Sequence, residues 1–357
     1  MSHSDCHSVC HSVCHIVPPG LLEQLIRTGS PEQREVALAT LTVDHSIRSA
    51  RLQAGLVAAP GPLRTAAAHG GAGKPDRTIY DALHQQDTAA TTVLRTEGQP
   101  PAADPAANEA YDGLGDTYSF YWDVFQRDSI DDSGLSLLGE VHYGQAYDNA
   151  FWDGERMVFG DGDGQLFLVG GFTKAIDVIG HELTHGVTQS TLGLRYIGQS
   201  GALNESISDV FGSMVKQKTL GQPTATADWL IGAGITGPAM PGQALRSMKA
   251  PGTAYRGDPQ PATMSGYVRT TNDNGGVHTN SGIPNHAFYL LAAALGGNSW
   301  DRAGRIWYEV MVRRAVPPTA QFHTFATATV AAAQGLYGAG SAEVTAVTDA
   351  WHQVEVL

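Results

Sequence analysis

The chain has 357 residues and a mass of 37.7 kDa, room for two or three structural units at the usual ~100–200 residues each. Its 42% hydrophobic content supports a real core and excludes wholesale disorder, while a net charge of −13 and a pI near 5.4 argue against nucleic acid and against anionic membrane surfaces as partners. No stretch approaches the roughly 18 consecutive apolar residues of a membrane span.

The first twenty residues lack a basic start and an apolar run, so this is not an ordinary secretory signal. Synthesis in the cytoplasm is expected, with export by a different route left open. Cys6, Cys10 and Cys14 all lie in this tail, in a repeated Cys-His-Ser-Val text. An odd number crowded together is not a disulfide framework. A slippage-generated repeat without a role, and a thiol that caps a metal in a precursor, are both open readings.

Pro18-Pro19-Gly20 precedes a short amphipathic run through Leu21, Leu22, Leu25 and Ile26. Ser30-Pro31-Glu32-Gln33 is a strong helix start, with a capping serine, proline at the first helical position and glutamine where a capping box needs it. Residues 57–74 are rich in Pro, Gly and Ala and read as a linker. Residues 1–74 are thus expected to be a tail, a small helical segment and a hinge. From Arg77 to Gly171, short alternating runs broken by Gly and Asp read as mostly strand. Helical text returns at 174–191 and 201–218, then at 284–295, 299–315, 319–336 and 341–353. The expected class is α+β, with a β-rich lobe over 75–192 and a helical lobe over 193–357.

His181-Glu182-Leu183-Thr184-His185 falls within the 174–191 helix. Residues four apart share a helical face, so both imidazoles can bind one ion, and Glu182 sits where it can take a proton from a water on that ion. The pattern alone is only moderately specific. Asn204-Glu205-Ser206-Ile207-Ser208-Asp209 comes next, on a second helix. A catalytic zinc takes three protein ligands and keeps one position open, and Glu205 is a suitable third. Asp209 can accept the outward N–H of His181, and Asn204 can support His185 in the same way, fixing tautomer and ring orientation.

These two motifs together resemble the thermolysin-like metallopeptidases, a branch of the gluzincins. Asp148–Gly154, Gly160–Gly164 and Asp273–Asn280 are similar to that family's edge strand, glycine-rich loop and third signature. His15-Ile16-Val17-Pro18-Pro19 with Leu21-Leu22 resembles the short pro-segment of its protealysin-like members. The resemblance implies a two-lobed fold with the metal in the cleft, and a neutral zinc endopeptidase made as a self-inhibited precursor. It implies one catalytic zinc on His181, His185 and Glu205, with Glu182 as general base and His278 and Tyr196 as oxyanion donors. Asp273 would orient His278, and Arg246 would bind a substrate carbonyl on the primed side. Asn149 and the backbone of Ala150 would receive the substrate as an added strand, and Val178 and Leu245 would line an apolar pocket for the residue after the cut. Peptides or proteins are the implied substrates, and the chain's own N-terminal segment the implied inhibitor.

One departure from the family is visible. Asp177 and Asp228 match two acids of its double calcium site, but Lys216, Leu230 and Ala233 stand where further acids would be. A hard cation needs several oxygen ligands, so calcium is not expected there. Two other readings compete: a catalytically inactive, thermolysin-shaped binding protein, and a zinc hydrolase acting on something other than peptides. Loss of Glu182, of a ligand or of His278 would favour the first, and all are present. The edge-strand motif and Arg246 argue against the second.

Overall fold

The computed structural model describes residues 14–57, 71–86 and 91–357. Cys6 and Cys10 of the tail, and residues 58–70 of the linker, lie outside the described residues.

The N-terminal segment contributes strand β1 (Cys14–His15) and helices α1 (Pro19–Thr28) and α2 (Pro31–Val57). The capping box at the start of α2 forms as its sequence predicts: the Gln33 amide donates to Ser30 Oγ, and the Ser30 amide donates to Gln33 Oε1. The helix runs beyond its apolar pattern, into the expected linker.

The next lobe carries β2 (Arg77–Asp81), β3 (Thr92–Thr96), α3 (Pro105–Phe125), β4 (Leu137–Val141), β5 (Ala150–Trp152) and β6 (Arg156–Phe159). Helix α3 corrects the reading of 77–171 as mostly strand. Its signal is an Asp104 cap, which accepts from the amides of Ala106 and Ala107, with Pro105 at the first position. Gly113 and Gly115 within it mimic turn punctuation, but they mark close packing instead. A Cβ on Gly113 would lie 2.3 Å from Ile179 Cδ1, and one on Gly115 2.1 Å from Arg77 Nη1.

Among the described residues the main sheet has the order β1-β5-β6-β4-β2-β3. Strands β6, β4 and β2 are mutually parallel, and the outer pairings are antiparallel. The N-terminal segment therefore supplies one edge, placing Cys14 opposite Trp152 and His15 opposite Phe151.

The short α4 (Gly171–Lys174) leads into α5 (Ile176–Ser190) and α6 (Gly198–Thr219), which carry the two metal-binding motifs. A two-stranded ribbon, β7 (Leu230–Ile231) with β8 (Arg246–Ser247), precedes α7 (Asp273–Asn280). Helices α8 (Gly282–Leu295), α9 (Ala303–Val312), α10 (Phe322–Tyr337) and α11 (Ala342–Gln353) complete the helical lobe. The C-terminal helices match the sequence reading to within a few residues. The two lobes share one apolar core, running from Ile79 and Leu114 through Leu183 and Phe211 to Trp307 and Trp351.

Helices α5 and α6 approach closely because glycines face each other. A Cβ on Gly180 would sit 3.1 Å from Gly212 Cα, and one on Gly212 2.4 Å from the Asp177 carbonyl oxygen. No flexible side chain can yield at that backbone oxygen. We expect Gly212→Ala to lower stability by about 1–3 kcal/mol through overpacking, measured by denaturant unfolding of the zinc-loaded chain. Unchanged stability would show that the two helices can part without loss.

Candidate active site

Helix α5 presents His181 and His185 on one buried face, and α6 brings Glu205 opposite them. The two Nε2 atoms are 3.0 Å apart. Glu205 Oε2 lies 3.6 Å from His181 Nε2, and Oε1 lies 3.5 Å from His185 Nε2. Each imidazole is held from behind. His181 Nδ1 is 2.8 Å from Asp209 Oδ1, and His185 Nδ1 is 2.9 Å from Asn204 Oδ1. Both acceptors call for a protonated Nδ1, leaving both Nε2 lone pairs aimed at each other. Two bare acceptors at that distance, beside a buried carboxylate with Oε2 unpaired, suit a cation. Burial pushes the His185 imidazole down to about 4, so it stays neutral and able to ligate.

Glu182 also lies within 4.8 Å of the two imidazoles. Its Oε2 accepts the Trp152 amide at 2.9 Å, while Oε1 has no hydrogen-bond partner among the described residues. Burial, and next the charge of Glu205, push its carboxyl well above the usual range. It is thus a better proton acceptor than an ordinary glutamate.

His278 stands on α7, whose first four residues, Asp273–Gly276, all take left-handed φ angles. This tight turn lets Asp273 fold back on the helix. Its carboxylate accepts the His278 amide at 2.8 Å and His278 Nδ1 at 2.7 Å. Burial opposes charge on that imidazole, but Asp273 and then Glu205 overcome it and raise its pKa. Tyr196 donates to Glu205 Oε1, and its hydroxyl is 3.3 Å from His278 Nε2.

Arg246, from β8, is fully buried and paired bidentately with Asp209: Nε to Oδ2 and Nη2 to Oδ1, both 2.8 Å. Burial works against the Asp209 carboxylate, yet Arg246 and His181 hold it below the usual range. Asn285 Nδ2 adds a further bond to Asp209 Oδ2 at 2.8 Å. The Asp209–Arg246–Asn285 connection is invisible in the sequence, since its members lie far apart and only their geometry joins them.

The cleft is occupied by the chain's own N-terminus. The Ile16 amide donates to the Ala150 carbonyl (3.1 Å), and the Val17 amide to Asn149 Oδ1 (3.0 Å). Arg246 Nη1 donates to the Ile16 carbonyl (3.0 Å), and His278 Nε2 is 3.2 Å from the His15 carbonyl oxygen. Ile16 is fully buried in the same apolar cluster as Val178 and Leu245. From α2, Asp44 accepts Tyr147 Oη at 2.5 Å and Asn149 Nδ2 at 3.2 Å, and lies 3.4 Å from His15 Nε2. His15 stands out in the sequence only as part of the Cys-His repeat and of the pro-segment text, and Asp44 not at all, because the contact between them joins residues with no motif in common.

The structure thus brings the predicted ligands, Glu182, His278, Tyr196, Asp273, Arg246, Asn149 and Ala150 together around the course of residues 15–17, with Val178 and Leu245 in the adjoining core. Residues 68–189 match the model of the thermolysin metallopeptidase catalytic domain, and residues 192–356 that of its alpha-helical domain. The chain belongs to the thermolysin metallopeptidase family. An extracellular metalloprotease of Pectobacterium carotovorum is 49% identical over 346 residues, covering 96% of each chain. A thermolysin of Alicyclobacillus acidocaldarius is 45% identical over 260 residues, covering 71% of this chain and 46% of that longer protein. The precursor of protealysin, a metalloproteinase from Serratia proteamaculans, superposes with a TM-score of 0.85 at 48% identity, covering 96% of this chain and 100% of that one. This thermolysin-like zinc metalloendopeptidase is thus of the protealysin type and made as a precursor, and its fold is the α+β arrangement of that family. No helix among the described residues is long and apolar enough to cross a membrane.

Because Asp209 supports both His181 and Arg246, we expect Asp209→Asn to weaken zinc by about 10–100-fold, as loss of a partner behind a metal ligand does. Competition with a fluorescent chelator measures this. Wild-type zinc affinity in the variant would remove Asp209 from that role.

Proposed function

We propose that the chain is a self-inhibited zinc endopeptidase that cuts on the amino side of apolar residues. The observation that carries this reading is the substrate-like course of residues 14–17 through the cleft. The segment adds an antiparallel strand to β5, a common way of gripping an extended peptide. With the His15 carbonyl at His278 and the Ile16 carbonyl at Arg246, the His15–Ile16 peptide lies where a scissile bond would lie. Ile16 then fills the pocket for the residue after the cut, with Val178 and Leu245 as its walls.

In this reading His181, His185 and Glu205 hold the metal. Zinc, when bound, supplies a Lewis acid that acidifies water and polarises a carbonyl. Glu182 takes the proton of the attacking water at its free Oε1 and returns it to the leaving amine. Its Oε2 is meanwhile held by the Trp152 amide, which keeps the carboxylate aimed. His278, whose pKa is raised by Asp273 against burial, and Tyr196 donate to the carbonyl oxygen as negative charge develops there. Arg246, Asn149 and Ala150 orient the substrate main chain. Substrates are peptides or unfolded protein segments able to lie along the β5 edge.

Glu182→Gln removes the base and keeps the ligands. Turnover of a furylacryloyl dipeptide should fall by about 10²–10⁴-fold or more, with about one zinc still bound per chain by metal analysis. If processing is autocatalytic, the same variant stays full length, while N-terminal sequencing of active wild-type enzyme finds a start within 58–76. Normal turnover in the variant would overturn the assignment.

We also propose that calcium is not needed at the family's double site. Lys216 Nζ lies 3.0 Å from Asp177 Oδ2, 2.9 Å from Asp228 Oδ1 and 2.6 Å from the Leu230 carbonyl. Burial disfavours the ammonium, but Asp177 and Asp228 more than offset this and raise its pKa. A calcium-selective chelator should leave the Tm of the zinc-loaded protein nearly unchanged. A drop of more than about 10 °C, several kcal/mol for a chain this size, would contradict it.

A further inference from the structure

We propose that Asp148 and Asp163 share one proton at neutral pH, and that this carboxyl–carboxylate pair is a positioning device for the substrate edge Asn149–Ala150 that loosens in alkali. The positioning half rests on the reading that Asn149 and Ala150 receive the substrate main chain.

Asp148 is fully buried directly before Asn149. Its Oδ1 accepts the Asp163 amide at 2.8 Å. Asp163 Oδ1 accepts three amides, from Gln165 (2.9 Å), Leu166 (2.8 Å) and Phe167 (3.3 Å). The two remaining oxygens, Asp148 Oδ2 and Asp163 Oδ2, are both buried and lack a donor, on two side chains that the Asp163 amide bond to Asp148 brings together. Two buried acceptors cannot satisfy each other without a proton, and one proton between them satisfies both. Asp148 takes one amide and Asp163 takes three, so the proton is assigned to Asp148. Burial, and next the charge of Asp163, push it up to about 8.

This pair closes a short ladder between the edge strand and the glycine-rich loop. The Gly160 amide donates to the Asn149 carbonyl at 2.9 Å, and the Gly162 amide to the Tyr147 carbonyl at 3.1 Å. The other charged groups around it are already engaged. On the loop, Asp161 pairs with His142 at 2.8 Å and faces His84 at 3.4 Å, and His142 also pairs with Asp104. On the pro-segment side, Asp44 takes the Tyr147 hydroxyl and faces His15. When Asp148 loses its proton, two like charges meet across the ladder and drive the loop from the edge that holds Asn149.

The sign of the linkage separates this pair from its neighbours. The folded pKa of Asp148 is raised from 3.8, so its contribution to stability is complete below about pH 4, falls between about pH 4 and 8, and is gone above. His142, raised from 6.5 to about 9 first by Asp161 and, against burial, by Asp104, loses its contribution only between about pH 6.5 and 9.

Asp148→Asn is the test, since its amide can donate to Asp163 Oδ2 and cannot ionise. In the full zinc-loaded chain, infrared spectra at pH 7 should contain a protonated-carboxyl band that is missing from the variant and disappears in wild type above about pH 9. The Tm of wild type relative to the variant should fall between about pH 4 and 8 and then level off. In the active enzyme, KM for a dipeptide substrate should rise several-fold through about pH 8 in wild type and stay flat in the variant, with the pH profile of kcat the same in both. Absence of the band in wild type overturns the shared proton, and that measurement needs no variant to fold. A KM that rises with the same midpoint in Asp148→Asn overturns the positioning role and assigns the alkaline change to His142. Failure of the substrate reading itself is read separately, as an unchanged KM in Asn149→Ala.

Discussion

A single buried carboxylate ties the paired imidazoles of α5 to the arginine that holds the N-terminal segment. Asp209 accepts four hydrogen bonds of 2.8 Å: one from the imidazole of His181, two from Arg246 and one from Asn285. Burying a charge is expensive unless every lone pair is satisfied, and here each oxygen receives two donors. The return is geometric. One oxygen fixes the tautomer and orientation of a metal-binding imidazole. The same group holds the guanidinium that reaches the Ile16 carbonyl. The His181 imidazole and the Arg246 guanidinium are thereby set at a fixed distance by one side chain. Such a network contributes more to conformational specificity than to net stability.

The N-terminal segment itself lies along the cleft. Without β1, strand β5 would be a sheet edge with unpaired backbone groups, the feature that lets an extended peptide bind and also invites unwanted pairing. The segment covers that edge with main-chain bonds that carry no sequence requirement. Its specificity comes from elsewhere. Ile16 and Val17 are fully buried, and Asp44 clasps Asn149 and Tyr147 on the protease lobe. Strand β1 is thus anchored by Asp44 of α2 as well as by its own main-chain bonds. Cutting the chain between helix and protease would leave only non-covalent contacts to hold it, and the effective concentration conferred by the tether would be lost.

How much of this is legible in the sequence depends on how local each signal is. His181 and His185 announce themselves by a four-residue spacing, and Glu205 and Asp209 repeat it on the next helix. The cap of α2 is written in adjacent residues, and Lys216 stands out only against the acidic pattern of the family that the chain resembles. The long helix α3 is hidden because its two internal glycines answer to Ile179 and Arg77, partners distant in sequence. The same holds for Arg246 with Asp209, thirty-seven residues apart, and for His15 with Asp44. Such pairings exist only once the lobes close on the cleft. Pattern can show that a residue is special, but not which distant group completes it.

On the proposal that Lys216 stands in for a bound ion, the exchange has consequences for stability and for the cleft. A bound ion stabilises the folded state by an amount that grows with its free concentration, so stability tracks the medium. A lysine is present at one copy per chain in every compartment. It brings one positive charge where an ion would bring two, and only three donors where a hard cation would gather six or more oxygens. Fewer acids are then needed around it. Asp177 and Asp228, with the Leu230 carbonyl, accept all three of those donors. Leu230 and Ala233 have no charge to neutralise, and Leu230 is free to pair in β7 with Ser247, beside Arg246. The ammonium therefore acts on the strand next to Arg246: Lys216 on α6 ties β7 to α5 and α6, and β8 carries Arg246 against β7.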